Sequence, residues 1–126
     1  MKRRTAREYA LQILFPIDIN FKQSTEAIQD FLESDDIDPF LFRLVDGVIT
    51  HLEKIDSIIS DHLENWSFDR IATVEKTILR IATYEMNYEE DIPPEVSVSE
   101  AIEIAKKFGD EKSSKFINGV LSKMIK

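Results

Sequence analysis

The chain of 126 residues contains no cysteine. That absence removes disulfides, thiolate zinc sites and cysteine nucleophiles, and it agrees with a reducing, cytoplasmic setting. Glycine and proline are scarce, with three and four residues. So little turn material disfavours an all-β fold and favours helices joined by short loops. No apolar run approaches the roughly 20 residues needed to span a bilayer, so no membrane association is expected. The basic start Lys2-Arg3-Arg4 is not read as a signal peptide, because Glu8, Gln12 and Asp18 interrupt what would be its apolar region.

Catalytic material is equally thin. His51 and His62 are too far apart in sequence to share a helix turn, and no carboxylate pair flanks either in a ligand-like pattern. They read as surface or interfacial histidines. Gly47, Gly109 and Gly119 are isolated, and none precedes a Lys-Ser/Thr pair, so no phosphate-cradling loop is present. The acid pairs Glu89-Glu90 and Asp35-Asp36 fall in loops without a basic or nucleophilic partner and read as solvation. Neither an enzyme nor a metal or cofactor site is expected.

What the sequence does have is 43% hydrophobic and 32% charged residues, the balance of a globular protein rather than a disordered one. The length suits one domain over 1–126, divisible into sub-bundles at 1–64 and 65–126. The net charge of −8 argues at first against nucleic acid, but it is unevenly spread. Residues 1–7 hold Lys2, Arg3, Arg4 and Arg7 with no acid, giving +4. Residues 106–126 hold six lysines against Asp110 and Glu111, again +4, while 8–105 carry −16. Ends that meet in space would form a basic patch on an acidic body, able to follow a phosphate backbone. Ends that do not meet are simply solvated termini.

Hydrophobic spacing predicts an all-α chain of six or seven helices with no strands. Ala6, Tyr9, Ala10, Ile13, Leu14 and Ile17 make one stripe of a first helix running from about residue 3 to 19. Leu11 and Phe15 lie off that stripe, on the side of Arg4. Ser24-Thr25-Glu26 starts a short second helix ending near Glu33. Asp38 is the expected N-cap of a third, with Pro39 at its first position. It runs to about His51, and a fourth follows after a bend, through Ile55, Ile58, Ile59 and Leu63. The pattern resets around Asn65-Trp66-Ser67; Ser67 or Asp69 is expected to cap a helix over about 69–88. Pro93-Pro94 ends that region, Ser97 and Glu100 have capping-box spacing for the next helix, and Gly109 is placed to stop it. A last helix is expected over about 113–125.

The N-terminal cations carry the strongest positive signal. Lys2, Arg3, Arg4 and Arg7, all expected to be exposed, crowd a helix start where positive charge opposes the helix dipole. Arginine suits phosphate because its planar fork donates two hydrogen bonds at once.

Four segments then resemble one family. KRRTAREYALQILF, residues 2–15, looks like the arginine-rich first helix of the NusB family. FRLVDGV at 42–48 fits its third helix, and EKTILRIATYE at 75–85 its long central helix. DIPPEVSVSEAIEIAKKFGDEKSSKFINGVL, residues 91–121, is similar to its C-terminal signature almost element by element. The resemblance implies two small packed helical bundles and a transcription antitermination factor. Such a factor binds the single-stranded boxA element of nascent ribosomal RNA together with the ribosomal protein NusE, and acts indirectly on the RNA polymerase elongation complex. It implies RNA contacts at Lys2, Arg3, Arg4 and Arg7, continued by Lys112, Ser113, Lys115 and Phe116. The spacing of Phe116 to Val120 is also what core packing predicts. Phe15 and Glu75 match positions facing NusE, where a second buried face and an exposed helix charge are the plainer readings. Phe15 stands where the family commonly has tyrosine and Ser99 where it has asparagine, and the basic lead is shorter than in some members. Two rival readings are the similar helical domain of certain RNA cytosine methyltransferases, which expects a catalytic domain downstream, and a protein-interaction adaptor whose acidic body binds a basic partner.

Overall fold

Two of the helices start on an aspartate. In the computed structural model, which describes residues 1–15 and 23–125, the Asp38 carboxylate accepts the Leu41 N–H at 3.0 Å and opens α3, Pro39–Thr50, with Pro39 at the first position. Asp110 accepts the Ser113 N–H at 2.8 Å and opens α7, Glu111–Ser122. Each bond satisfies one of the N–H groups that a helix start leaves without a partner. The other helices are α1, Arg3–Leu14; α2, Ser24–Leu32; α4, Leu52–Asp61; α5, Thr73–Tyr88; and α6, Pro94–Phe108. A single 3₁₀ turn, Phe68–Arg70, precedes α5, and no strand occurs among the described residues.

Several boundaries differ from the sequence expectation. The first helix ends at Leu14 rather than near residue 19; Pro16, two residues on, has no N–H to donate back into the ladder. Ile17 and Ile19 lie outside the described residues. Neither Ser67 nor Asp69 caps α5, which follows extended backbone at Ile71 and Ala72. Ser97 and Glu100 form no capping box. Proline at the first position starts α6 three residues earlier, which leaves both side chains free for partners on other helices. Gly109 does stop α6, and α7 begins at Glu111 rather than Ser113.

Helix α5 is the centre of the molecule and packs against α1, α3, α4, α6 and α7. Its buried face, with Ile78, Leu79, Ile81 and Ala82, joins Leu41, Leu44, Val45 and Val48 of α3 and Ile117 and Leu121 of α7 in one hydrophobic cluster. Gly47 is where α3 comes closest: a Cβ there would overlap the Tyr84 ring of α5.

Three charged contacts fix how α1 runs along this core. Arg7 of α1 meets Glu85 of α5, while Leu11, one turn on, shares a small cavity with Ile78 and Ile81. The two helices are therefore antiparallel. Along α6 the order is reversed: Arg4 pairs with Glu100, and Glu8 with Lys107 at 2.8 Å. Thus α1 and α6 run the same way, linked by these long side chains.

Candidate nucleic-acid interface

The four N-terminal cations do not share one environment. Lys2, Arg3 and Arg4 are exposed, but Arg7 is only 4% exposed. Its Nε and Nη2 donate to Glu85 at 2.9 and 2.8 Å, and Ser97 Oγ donates to the same carboxylate at 3.0 Å. This corrects the expectation of an exposed Arg7. The residue falls in line with Leu11 and Leu14 on the buried side of α1, and Glu85 falls in line with Ile78, Ile81 and Ala82 on the buried side of α5. A charge inside each apolar stripe is tolerated because the two meet.

Arg4 makes the same side-on grip in solvent, with Nε and Nη2 donating to Glu100 at 3.0 and 2.7 Å. That bond is the main reason the Glu100 carboxyl is held below its ordinary value, and it pushes the Arg4 guanidinium up. Arg3 lies 4.4 Å over the Phe40 ring and 3.7 Å from Asp91. Phe40 also carries Arg43 at 5.5 Å on its ring.

Arg43 is a residue that sequence reasoning missed. Its Nε and Nη2 donate to the buried Glu89 at 3.0 and 3.2 Å, and Tyr84 Oη donates to Glu89 at 2.7 Å. Burial, followed by the bond to Glu89, pushes the Tyr84 phenol well above its ordinary value. Glu89 is therefore not a solvated loop acid, as its pairing with Glu90 in the sequence suggested; only Glu90 is exposed. The available signal was spacing. Glu85 and Glu89 are four residues apart on the buried side at the end of α5, too deep for carboxylates without arginine partners.

The second basic group lies elsewhere. Lys112, Ser113 and Phe116, at the start of α7, line an open groove of about 470 Å³ together with Trp66, Arg70 and Glu75. Phe116 is half-buried and meets Trp66 edge-on, ring centres 6.3 Å apart. Lys115 is exposed on the same turn of α7. Glu75 belongs to the Thr73 end of α5, whereas Arg3 and Arg4 cluster at the Glu85 end. Ten residues of helix at about 1.5 Å each put roughly 15 Å along α5 between Glu75 and Glu85, so the two basic groups lie toward opposite ends of that helix. The α1–α6 edge runs between them, leading from Arg4 past Lys107 to Lys112. Phe15, 44% exposed, is at the Glu75 end, because α1 and α5 are antiparallel.

The histidines take structural partners. His51 stacks on Tyr88 at 4.1 Å, and His62 Nδ1 lies 2.7 Å from the Ile58 carbonyl oxygen. Among the described residues no group of three or more His, Cys, Asp or Glu side chains is arranged to hold a metal. No helix among them is long and apolar enough to cross a membrane.

Solved structures place this architecture in the class of helical transcription factors. T. maritima NusB matches with a TM-score of 0.85 and 36% identity, over 98% of this chain and 90% of that one. A structure of the antitermination factors NusB and NusE in complex with dsRNA matches at 0.82 and 33%, over 97% and 94%. The transcription antitermination protein NusB of Bacillus subtilis is 57% identical over 122 residues, covering 97% of this chain and 93% of the relative. That of Geobacillus kaustophilus is 53% identical over 124 residues, covering 98% and 95%. The NusB family model matches residues 4–126. The chain belongs to the NusB family: it is a transcription antitermination factor and not an enzyme.

Proposed function

We propose that the protein binds single-stranded, boxA-like RNA of nascent ribosomal transcripts together with NusE, and so lets RNA polymerase read through terminators. The observation that carries this reading is the cluster of Arg3, Arg4 and Arg43 at one end of the molecule. Arg4 and Arg43 hold their carboxylates through Nε and Nη2 only, so the outer edge of each fork remains for a phosphate. Lys2 adds an exposed cation beside them. The likeness to a NusB solved with NusE and dsRNA supports the choice of partners. Arg7 acts from behind by fixing α1 on α5, not by touching RNA.

Lys112, Ser113, Lys115 and Phe116 form the second half of the RNA surface, reached along the α1–α6 edge. Phe15 and Glu75, at the Thr73 end of α5, face NusE, and the acidic middle of the chain draws in a basic partner. A titration with boxA-like RNA, with and without NusE and at two salt concentrations, tests the whole reading. RNA affinity should rise when NusE is present and fall with salt. A protein that ignores RNA at low salt but binds NusE would be an adaptor instead. Glu75→Lys separates the two ligands: NusE binding should weaken, while RNA binding by the isolated protein holds or improves. Loss of both with the fold intact would rule out separate contacts.

A further inference from the structure

Trp66 has no role in any of this, yet it is 55% exposed and is the only tryptophan in the chain. It lines the 470 Å³ groove, a size suited to a small planar ligand. Trp66 and Phe116 meet at 70° rather than stacked, so neither ring covers the other face to face. Arg70, Lys112, Ser113 and the half-buried Glu75 line the same groove. Asp110 lines it too, but its carboxylate is engaged by the Ser113 N–H.

We propose that this groove holds one unstacked base of the bound single-stranded RNA, stacked on Trp66. The inference rests on the RNA-binding reading above. An aromatic surface flanked by cations is how proteins take single-stranded nucleic acid, the ring receiving the base and the cations the neighbouring phosphates. The groove continues the proposed path from Arg4 along α6, past Lys107 to Lys112.

The single tryptophan makes the test direct. Full-length protein is titrated with an end-labelled, boxA-like single-stranded RNA, reading the label's anisotropy for binding and indole fluorescence for the groove. The indole signal should change in step with anisotropy, and one abasic substitution in the RNA should abolish it while the phosphates stay in place. Trp66→Ala should weaken binding roughly 5- to 150-fold, the range for losing one stacked base, without altering the salt slope; Trp66→Phe should recover most of the affinity. RNA that binds with no change in indole signal for any base position overturns the proposal and leaves the RNA-binding reading standing. An indole response to NusE but not to RNA also overturns it, and assigns the groove to the protein partner. No rise in anisotropy at low salt defeats both. Should Trp66→Ala not fold, the wild-type and abasic titrations and Trp66→Phe still decide the matter.

Discussion

Arg4 and Arg7 are three residues apart on one helix, and each grips a glutamate through Nε and Nη2 at 2.7 to 3.0 Å. The geometry is shared; the surroundings are not. The side chains of Arg7 and Glu85 are 5% and 1% exposed, against 58% and 16% for Arg4 and Glu100. In the interior, losing one partner strands a charge that cannot reach water. At the surface, water and salt replace the partner at little cost. Identical contacts thus do different work: the buried one holds the helix in place, and the exposed one holds an arginine ready for exchange with an outside anion.

The sharpest way to break this comparison is to truncate both arginines. Arg7→Ala should destabilise the fold by about 3–5 kcal/mol, the cost of leaving a buried charge unpaired, whereas Arg4→Ala should leave the urea midpoint nearly unchanged. Equal shifts would mean that burial is not what separates the two pairs. Two glycines extend the contrast to the backbone. Gly47→Ala drives a Cβ into the Tyr84 ring and should cost about 1–3 kcal/mol. At Gly119 a Cβ meets nothing within 4 Å, so alanine there should gain about 0.5–1 kcal/mol of helix stability. Thermal melts of the two variants should move in opposite directions.

On the binding side, Arg3→Ala with Arg4→Ala should make the plot of log RNA affinity against log salt shallower by about 0.7 for each lost phosphate contact. Discrimination of boxA from other RNA should change less than affinity. An unchanged slope in the folded double variant would remove these arginines from the interface. The smallest effect is on pH. The Glu100 carboxyl is lowered in the folded state, chiefly by its bond from Arg4. Its stabilisation is therefore complete above the ordinary glutamate range and is lost as pH falls through the lowered value. The small gap between wild type and Arg4→Ala should close over that window. A gap that persisted in acid would show that the bond does not depend on the charge.

Local signals carried most of the fold. Asp38 with Pro39, the apolar spacing of α3 and α5, and Gly109 could be read because each acts within a turn or two of its own position. Ser97 and Glu100 misled because their spacing is right for a cap, but the proline pair had already started the helix. The partners they use, Glu85 and Arg4, are twelve and ninety-six residues away. The site divided along the same line. Lys2, Arg3 and Arg4 were visible as an unopposed cationic start. Arg7 looked alike until its place in the buried stripe was compared with that of Glu85. Arg43 was hidden among the hydrophobic residues of α3, and only the folded chain brings Arg3 to Phe40 beside it and Glu89 under its fork.

Glu85, in the last turn of α5, and Glu89, the residue that caps it, are each held by an arginine from a different helix, Arg7 of α1 and Arg43 of α3. One helical turn is about 5.4 Å, so sliding α1 or α3 by a turn would bring an arginine to the wrong glutamate. The slipped arrangement would still pair opposite charges, but Ser97 completes only the Glu85 site and Tyr84 only the Glu89 site. The two buried acids therefore work as a keyed latch: greasy faces that could mesh in several registers are allowed to close in one, and the exposed arginines reach the surface at fixed positions because the helices behind them cannot slip.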